Sequence, residues 1–593
     1  MRAPESDFHA IPVAHLPVIR ALIDDLGIHA IIEDFLPMHA LSRVSDADCV
    51  VTMMLNILCG RVALFRMDAW LGRTDVELLL GSGHQADAFA DSRLAAALGH
   101  LGVGGTDSVR SRVVERYFQR PERETTYSVH QDFTTVTLFG EYADVSPNSP
   151  LPAFGHSKDD KPDLKQLVFG LSIHGSAGIP LVCTTLDGNT SDSRANRDHL
   201  ARLAKLLPDE DEVTVVADCK LVDGTTLGQL LSAGFHFVTL FPDNYKLRSQ
   251  LVVDAFAEEP DPAKWPILGS HPGRRKADPV TNYRGRSFER DFPMLLHKTP
   301  STEHPGPNDA VESIETMRFV LIHSDALLAA FDGRLESRLK AEMDEITAAM
   351  TRANRKPASC EHDALASAQK ALPKLHFHQI ELSARPEERP AKRKGKGRRP
   401  KGEAPKIETV WIVATNVTLD AEAVSAERRH ASCFPLMTSH LDTPGWDAAR
   451  ILAEYRHQGV IEGNTGFRWL KGPAAVAPMF LKTPTRMRAL GLVMVLALMV
   501  RNYWQYRMRG AAKAEGKSID HPFTRRAVNN LTAEMAMEHF GGILAYQIRR
   551  DDGNWVRTKV TIPEVAREVL AFLAVPETVF WTPPIRKLHA IRV

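Results

Sequence analysis

Three acidic residues stand where a sheet would present a carboxylate at a strand end or a neighbouring helix would bring one close. Asp132 opens a strand in His130-Gln131-Asp132-Phe133-Thr134-Thr135-Val136-Thr137, and Asp218 closes the apolar run Val213-Thr214-Val215-Val216-Ala217. A lone charge buried beside such a strand is costly, so the Asp218 carboxylate has to reach water, a cation or a ligand. An aspartate that merely caps the turn after its strand meets the same requirement. Glu462 lies in Tyr455-Arg456-His457-Gln458-Gly459-Val460-Ile461-Glu462. Read as one helix, that segment puts Tyr455 and Glu462 on one face, since residues seven apart drift by only ~20°. An ordinary amphipathic helix gives the same pattern. Together, three carboxylates could hold two divalent cations ~3.5–4 Å apart, the arrangement that activates a nucleophile and stabilises the leaving oxygen in phosphodiester displacement. Hard oxygen donors suit Mg²⁺ or Mn²⁺.

The elements that must position these groups belong to a chain of 593 residues, enough for several domains and too long for a peptide hormone or small binding module. Lys+Arg and Asp+Glu are 73 each, with 44% apolar and 25% charged residues, which excludes wholesale disorder and a uniformly basic coat. Net neutrality leaves a local basic surface open. The six cysteines are scattered without a C-x-x-C pair or a Cys/His ligand ladder, and MRAPESDFHA lacks a secretory apolar core. The expectation is a reduced, cytoplasmic setting. The longest apolar run, Ala489 to Val500, falls short of the ~20 residues of a membrane span, so a buried core helix and no membrane partner are expected.

Residues 1–125 read as a helical N-terminal domain. It ends in an arginine-rich helix around Arg110, Arg112 and Arg116, followed by Arg120 and Arg123, which could face DNA or simply be solvated. Residues 126–243 follow as β-β-β-α-β-α-β, a mixed α/β sheet. Residues 244–406 read as an inserted domain with one long helix, Ala326 to Thr351. Near its end, Arg389 to Lys401 carries eight basic residues in thirteen, among them Lys392, Arg393, Lys394, Arg398 and Arg399, able to bind phosphates as a flexible segment or to be a solvated loop. Residues 407–510 resume the core with a strand at Thr409–Thr415, a helix from Ala448 to Leu470 and a helical region from 475. Residues 511–593 read as a C-terminal tail with a short helix, Pro563 to Leu573.

Several stretches jointly carry a family likeness: Asp132-Phe133-Thr134-Thr135-Val136-Thr137-Leu138-Phe139-Gly140-Glu141-Tyr142, the run Ser157 to Gly170 (SKDDKPDLKQLVFG), Gly188-Asn189-Thr190-Ser191-Asp192, Val215-Val216-Ala217-Asp218, Ile461 to Lys471 (IEGNTGFRWLK) and Ala489 to Leu498. From about residue 10 to 510 the chain resembles bacterial insertion-sequence transposases of the DDE class, in the branch with a Y-R-E-K signature and an RNase H-like, retroviral-integrase fold. The resemblance implies that Asp132, Asp218 and Glu462 are the catalytic, metal-binding triad, with an insertion domain between the last two. It implies two Mg²⁺ or Mn²⁺ ions per active site, double-stranded DNA as partner (inverted-repeat ends and target), a homodimer assembled on DNA and a nucleoid-associated place in a bacterial cytoplasm. The implied chemistry is strand cleavage at an element end, followed by attack of the freed 3′-hydroxyl on target DNA. Relatives in the branch pass through a hairpin at the element end.

The signature departs from the family in two places. Gln458 stands where an arginine is expected, with Arg456 as a substitute on a neighbouring face. Trp469 stands where a lysine is expected, and Lys471 would be about 180° away on an ideal helix. Either Gly463 and Gly466 break the helix and swing Lys471 back, or Arg468 takes over the phosphate contact. Tyr455, Arg456, Arg468 and Lys471 are thus the expected DNA-contacting residues beside the triad. A catalytically decayed DNA-binding regulator and a plain RNase H-like nuclease are the competing readings. Positive charge gathers in residues 110–123, 389–401 and 486–509, which predicts salt-dependent DNA binding despite neutrality.

Overall fold

A computed structural model describes residues 8–584, apart from 40–41, 122, 124–127, 141, 143–149, 159, 208–211, 273–278, 298–309, 391–405, 442–443, 473–480, 482 and 551–554. The protein is a mixed α/β structure built on one large mixed sheet. Strand β1 (Phe8–Pro12) precedes an N-terminal group of helices that runs to Phe118. The main sheet contains β2 (Ser128–Thr137), β3 (Gln166–His174), β4 (Ile179–Leu186), β5 (Thr214–Ala217), β6 (His236–Leu240), β7 (Ile267–His271), β8 (Thr281–His297) and β9 (Ala310–Ser324). A separate two-stranded ribbon is formed by β10 (His378–Pro390) and β11 (Ile407–Leu419), and β12 (Cys433–Thr438) returns to the main sheet. The nine-stranded order is β4-β3-β2-β5-β6-β12-β9-β8-β7, with β2, β5 and β6 mutually parallel and the remaining pairs antiparallel.

The β-β-β-α-β-α-β order expected for 126–243 is present as β2, β3, β4, the helix Asp192–Leu206, β5, the helix Gly224–Ser232 and β6. Its strands are buried on both faces because helices cover both faces, which removes the exposed polar face of a half-exposed sheet, although β2 itself buries polar side chains such as His130, Gln131 and Thr135. One core cluster joins Val129, Val215, Ala217 and Phe237 to the helices that follow β4, β5 and β6. On the other face, Val216 and Val238 pack with Ile451 and Leu452, and Tyr455 lies against them.

Two expectations for the second half need correction. The sequence after 244 is not wholly a separate insertion, because β7, β8 and β9 extend the main sheet through β12. Only the segment from Asp325–Arg355 to β11 stands apart, with a small core around Ala349, Ala364 and Val413. The strand expected at Thr409–Thr415 exists as β11, yet it pairs with β10 in the ribbon rather than resuming the core; alternation tells a strand from a helix but does not name its partner. The core resumes at β12, a stretch interrupted by Pro435 that carries no such alternation.

The C-terminal residues are also more than a tail. Leu544–Arg549 pairs antiparallel with β1, so the N-terminal group is not purely helical, and Leu531, Phe540, Leu570 and Phe580 share the core of the N-terminal helices. The helix Pro484–Ala514 runs through that core. It is the one helix among the described residues long and apolar enough to cross a membrane, and its apolar window is 89% covered by protein. The six cysteines are free.

Candidate active site

The two aspartates are set side by side by strand register. In the parallel β2–β5 pair, Ser128, Val129 and His130 stand opposite Thr214, Val215 and Val216. Two residues further along each strand come Asp132 and Asp218. Side chains alternate between faces along a strand, so Asp132 shares a face with His130, and Asp218 with Val216. That face of β5 is the one covered by the helix Ala448–Arg456, with Tyr455 packed beside Val216. On β2 it is the face of Val136, which shares a core cluster with Ile461, Phe467 and Leu470. The segment carrying Glu462 therefore lies over both aspartates, Asp218 at the end of β5 and Asp132 midway along β2, which begins at Ser128 so that Asp132 does not open the strand as its sequence suggests.

The helix expected from Ala448 to Leu470 is broken twice. It consists of Ala448–Arg456, a single turn Gly459–Glu462, and Phe467–Lys471. Tyr455 and Glu462 therefore do not owe their proximity to one helix face. The second break is enforced at Gly466: a Cβ there would lie 1.9 Å from the Ile461 carbonyl oxygen, so only glycine lets the chain turn back. Thr465 Oγ1 donates to the Val460 carbonyl at 2.6 Å, and Asn502 Nδ2 donates to the Thr465 and Gly178 carbonyls at 2.9 and 2.6 Å, pinning this turn to the β3–β4 hairpin.

Electrostatics tie the groups together. Burial pushes the Asp132 carboxyl up to about 6; Lys158 and a 2.7 Å bond from the Phe133 amide oppose this, while the negative charges of Asp218 and Glu462 add to it. Asp218 is also raised by burial, against its 3.0 Å bond from the Lys220 amide and the attraction of Lys158. Tyr455 is pushed up to about 12 by burial and by the charges of Asp218, Cys219 and Glu462, so its hydroxyl stays protonated. Lys158 acts on both aspartates. Its Nζ stands 3.9 Å from Asp132 Oδ1 and donates to the Phe133 carbonyl, while its amide donates to Thr135 Oγ1 at 3.1 Å. The Ser157–Gly170 stretch was conspicuous in the sequence; nothing in spacing alone distinguished Lys158 from its charged neighbours.

Among the described residues, no group of three or more His, Cys, Asp or Glu side chains is drawn together tightly enough to hold a metal ion. The carboxylates are in electrostatic range rather than in a finished cage, with Glu462 exposed on its single turn. In kind, the donor set fits Mg²⁺ or Mn²⁺: hard carboxylate oxygens whose burial is not balanced by positive charge.

The expected DNA-contacting residues diverge. Arg468 is exposed on Phe467–Lys471, and Lys471 lines a small apolar hollow of about 30 Å³ with Thr134, Val136, Phe467 and Leu470, on the face of β2 that bears Asp132. The glycine break thus returns Lys471 to that face. Arg456 points elsewhere, with its guanidinium 4.8 Å above the Tyr283 ring, and Gln458 is buried. Lys392, Arg393, Lys394, Arg398 and Arg399 lie outside the described residues. Much of the basic charge expected to form a DNA path is internal. Arg110 bonds Asp107 and the Cys183 carbonyl, Arg120 and Arg507 converge on Asp25, and Arg501 is 2% exposed and clamps Glu534. Their near-helical spacing reflects packing, because an arginine that pairs across a core keeps the same periodicity as one that faces solvent.

Residues 9–114 match a family described as a domain of unknown function (DUF4277). No curated protein matches the chain. Among solved structures, a piggyBac transposase synaptic complex with hairpin DNA, determined by cryo-EM, aligns at 9% identity and a TM-score of 0.25. That alignment covers 52% of this chain and 63% of that one, so the match spans less than two thirds of its length. A likeness this slight carries no weight in assigning a function.

Proposed function

We propose that the protein is a DDE-class DNA transposase of a bacterial insertion sequence, with an RNase H-like core, acting as a homodimer on double-stranded DNA. The observation that carries this reading is the β2–β5 register, which sets Asp132, midway along β2, beside Asp218 at the end of β5, while the broken helix lays Glu462 and Tyr455 over the same face. The parallel β2, β5 and β6, preceded by the antiparallel β2-β3-β4 meander, fit the proposed core. The family motifs quoted from the sequence supply the reaction class.

In this reading Asp132, Asp218 and Glu462 would hold two Mg²⁺ or Mn²⁺ ions, which when bound would supply Lewis-acid chemistry for phosphodiester displacement. The chain's own contribution is positioning. Asp132 and Asp218 are fixed by their strands and by bonds from the Phe133 and Lys220 amides, and Glu462 is carried on a turn that glycine and Asn502 hold in place. The protonated Tyr455 hydroxyl can donate to a phosphate oxygen near Asp218 and Glu462 but cannot take a proton from water. Lys158 limits the repulsion between the two aspartates.

The test uses purified full-length protein and linear DNA carrying the inverted repeats that flank the coding sequence, in Mg²⁺. Nicking at the repeat ends, and joined products from a pre-cleaved end, are expected. A mobility shift without nicking would instead select the regulator, and nicking without joining the plain nuclease.

A further inference from the structure

A second, basic hollow borders the turn that follows Glu462. Its walls include Arg456, His457 and Asn464 from the broken helix and Arg501, Gln505 and Arg509 from Pro484–Ala514. It is open to solvent, with about 380 Å³ of space accessible to water. Among the described residues, no acidic side chain lines it. Arg501 is matched by Glu534, with Nε and Nη2 each 2.7 Å from its carboxylate. Arg509 is held by backbone oxygens, Nε donating to the Leu531 carbonyl at 2.9 Å and Nη2 to the Asn530 carbonyl at 2.6 Å, which orients the guanidinium without neutralising it. Gln505 is held through Oε1, which accepts from the Ala533 amide at 3.3 Å, leaving its amide N–H₂ as a donor. The floor is rigid, because Asn502 and Thr465 pin the 463–466 turn.

We infer that this hollow is a binding site for a backbone phosphate of duplex DNA, gripping the strand beside the bond cut at Asp132, Asp218 and Glu462. The inference rests on the transposase reading and adds a site to it. A guanidinium oriented by backbone carbonyls rather than by a carboxylate is a phosphate receptor, since Arg presents several N–H groups in a fixed plane. The wide mouth admits a continuous backbone better than it would enclose a small anion. Gly463 and Asn464, which directly follow Glu462, form part of its wall, so a phosphate held here lies along the path of a strand engaged at the carboxylates. It also gives Arg456 a role distinct from that of a signature arginine inside the active site.

The test compares full-length wild type with Arg509→Gln and Arg456→Gln by fluorescence anisotropy on a duplex, titrated over a range of NaCl. Each substitution is expected to weaken binding ~10-fold at low salt and to reduce the slope of log affinity against log salt by ~0.9, the signature of one lost phosphate contact. Arg509→Lys should recover part of both, and Arg456, exposed and packed on Tyr283, gives a variant whose folding is not at stake. A parallel arm measures the melting temperature in inorganic phosphate against chloride at equal ionic strength. If wild type binds DNA and both glutamine variants match its affinity and slope, the phosphate site is overturned while the transposase reading stands. If wild type binds no DNA, both fall. If phosphate stabilises wild type but not Arg509→Gln while DNA binding is unchanged, the hollow takes a free anion and the DNA assignment is overturned.

Discussion

The metal-free protein should be more stable without one of its central carboxylates. Asp132 is largely covered, with like charges nearby, and its carboxyl is pushed from 3.8 to about 6. A carboxyl whose folded value is raised keeps its proton better folded than unfolded, so the native state binds more protons between pH ~4 and ~6 and stability falls as pH rises through that window. Two pH units at 1.36 kcal/mol each make the cost about 3 kcal/mol above pH ~6. Asp132→Asn removes that cost and retains an oxygen for the Phe133 amide. The assay is thermal or urea unfolding of wild type and Asp132→Asn in EDTA at pH 4 and pH 7.5. The variant should gain up to ~3 kcal/mol at pH 7.5 and almost nothing at pH 4. Adding Mg²⁺ at pH 7.5 should close the gap by stabilising wild type alone, through ligand linkage. Equal stability in EDTA at both pH values, or a variant weaker at pH 7.5, would refute the reasoning that Asp132 sits in an acidic cluster short of positive charge.

Other perturbations probe the scaffold of the site. Tyr455→Phe should slow DNA cleavage ~10-fold with an unchanged melting temperature, and the wild-type rate should show no tyrosine ionisation below pH ~10, since the hydroxyl holds its proton to about 12; an unaltered rate would remove Tyr455 from the site. Gly466→Ala forces a Cβ against the Ile461 carbonyl, so cleavage should fall sharply and limited proteolysis should rise between residues 463 and 467; a fully active, protease-resistant variant would show that the turn does not place Glu462. His199 is buried between Ser172 Oγ at 2.7 Å and Thr184 Oγ1 at 3.0 Å, and burial lowers it to about 3. The stability of its neutral ring is present above pH ~6.5 and lost as pH falls toward ~3. His199→Asn should therefore be destabilised by ~1–3 kcal/mol at pH 7.5 and show a weaker dependence on pH below 6.5, with unfolding midpoints against pH as the check.

Much of the first half of the sheet was legible because its signals are local. The apolar run ending at Asp218 and the β-branched run after Asp132 read directly as strands, although β2 begins at Ser128 and so holds Asp132 in mid-strand, and β6 begins and ends where its sequence suggests. The pairing of the two aspartates was not legible, because register depends on which strands become neighbours. For the same reason β12 gives no signal in the sequence and β11 reads as a core strand: its alternation is as good in a free ribbon as in a core. The helix bearing Glu462 reads as continuous because three glycines and a buried Gln458 do not disrupt an apolar period on paper, although Gly466 admits no other residue sterically. Arginine was the least legible residue. Arg110, Arg120 and Arg501 read as a DNA-facing surface, yet each is spent on an internal partner tens or hundreds of residues away in sequence or on a neighbouring carboxylate.

Metal-dependent cutting by the three carboxylates is the central claim. The decisive measurement is the single-turnover cleavage rate of element-end DNA in Mg²⁺ for wild type, Asp218→Asn and Glu462→Gln, each first shown to be folded and to bind the DNA. The expected result is cleavage by wild type that EDTA abolishes, and a loss of at least ~100-fold in each variant, the scale expected when electrostatic stabilisation of the reacting phosphate is removed. A Glu462→Gln protein that cut element ends at the wild-type rate would contradict it.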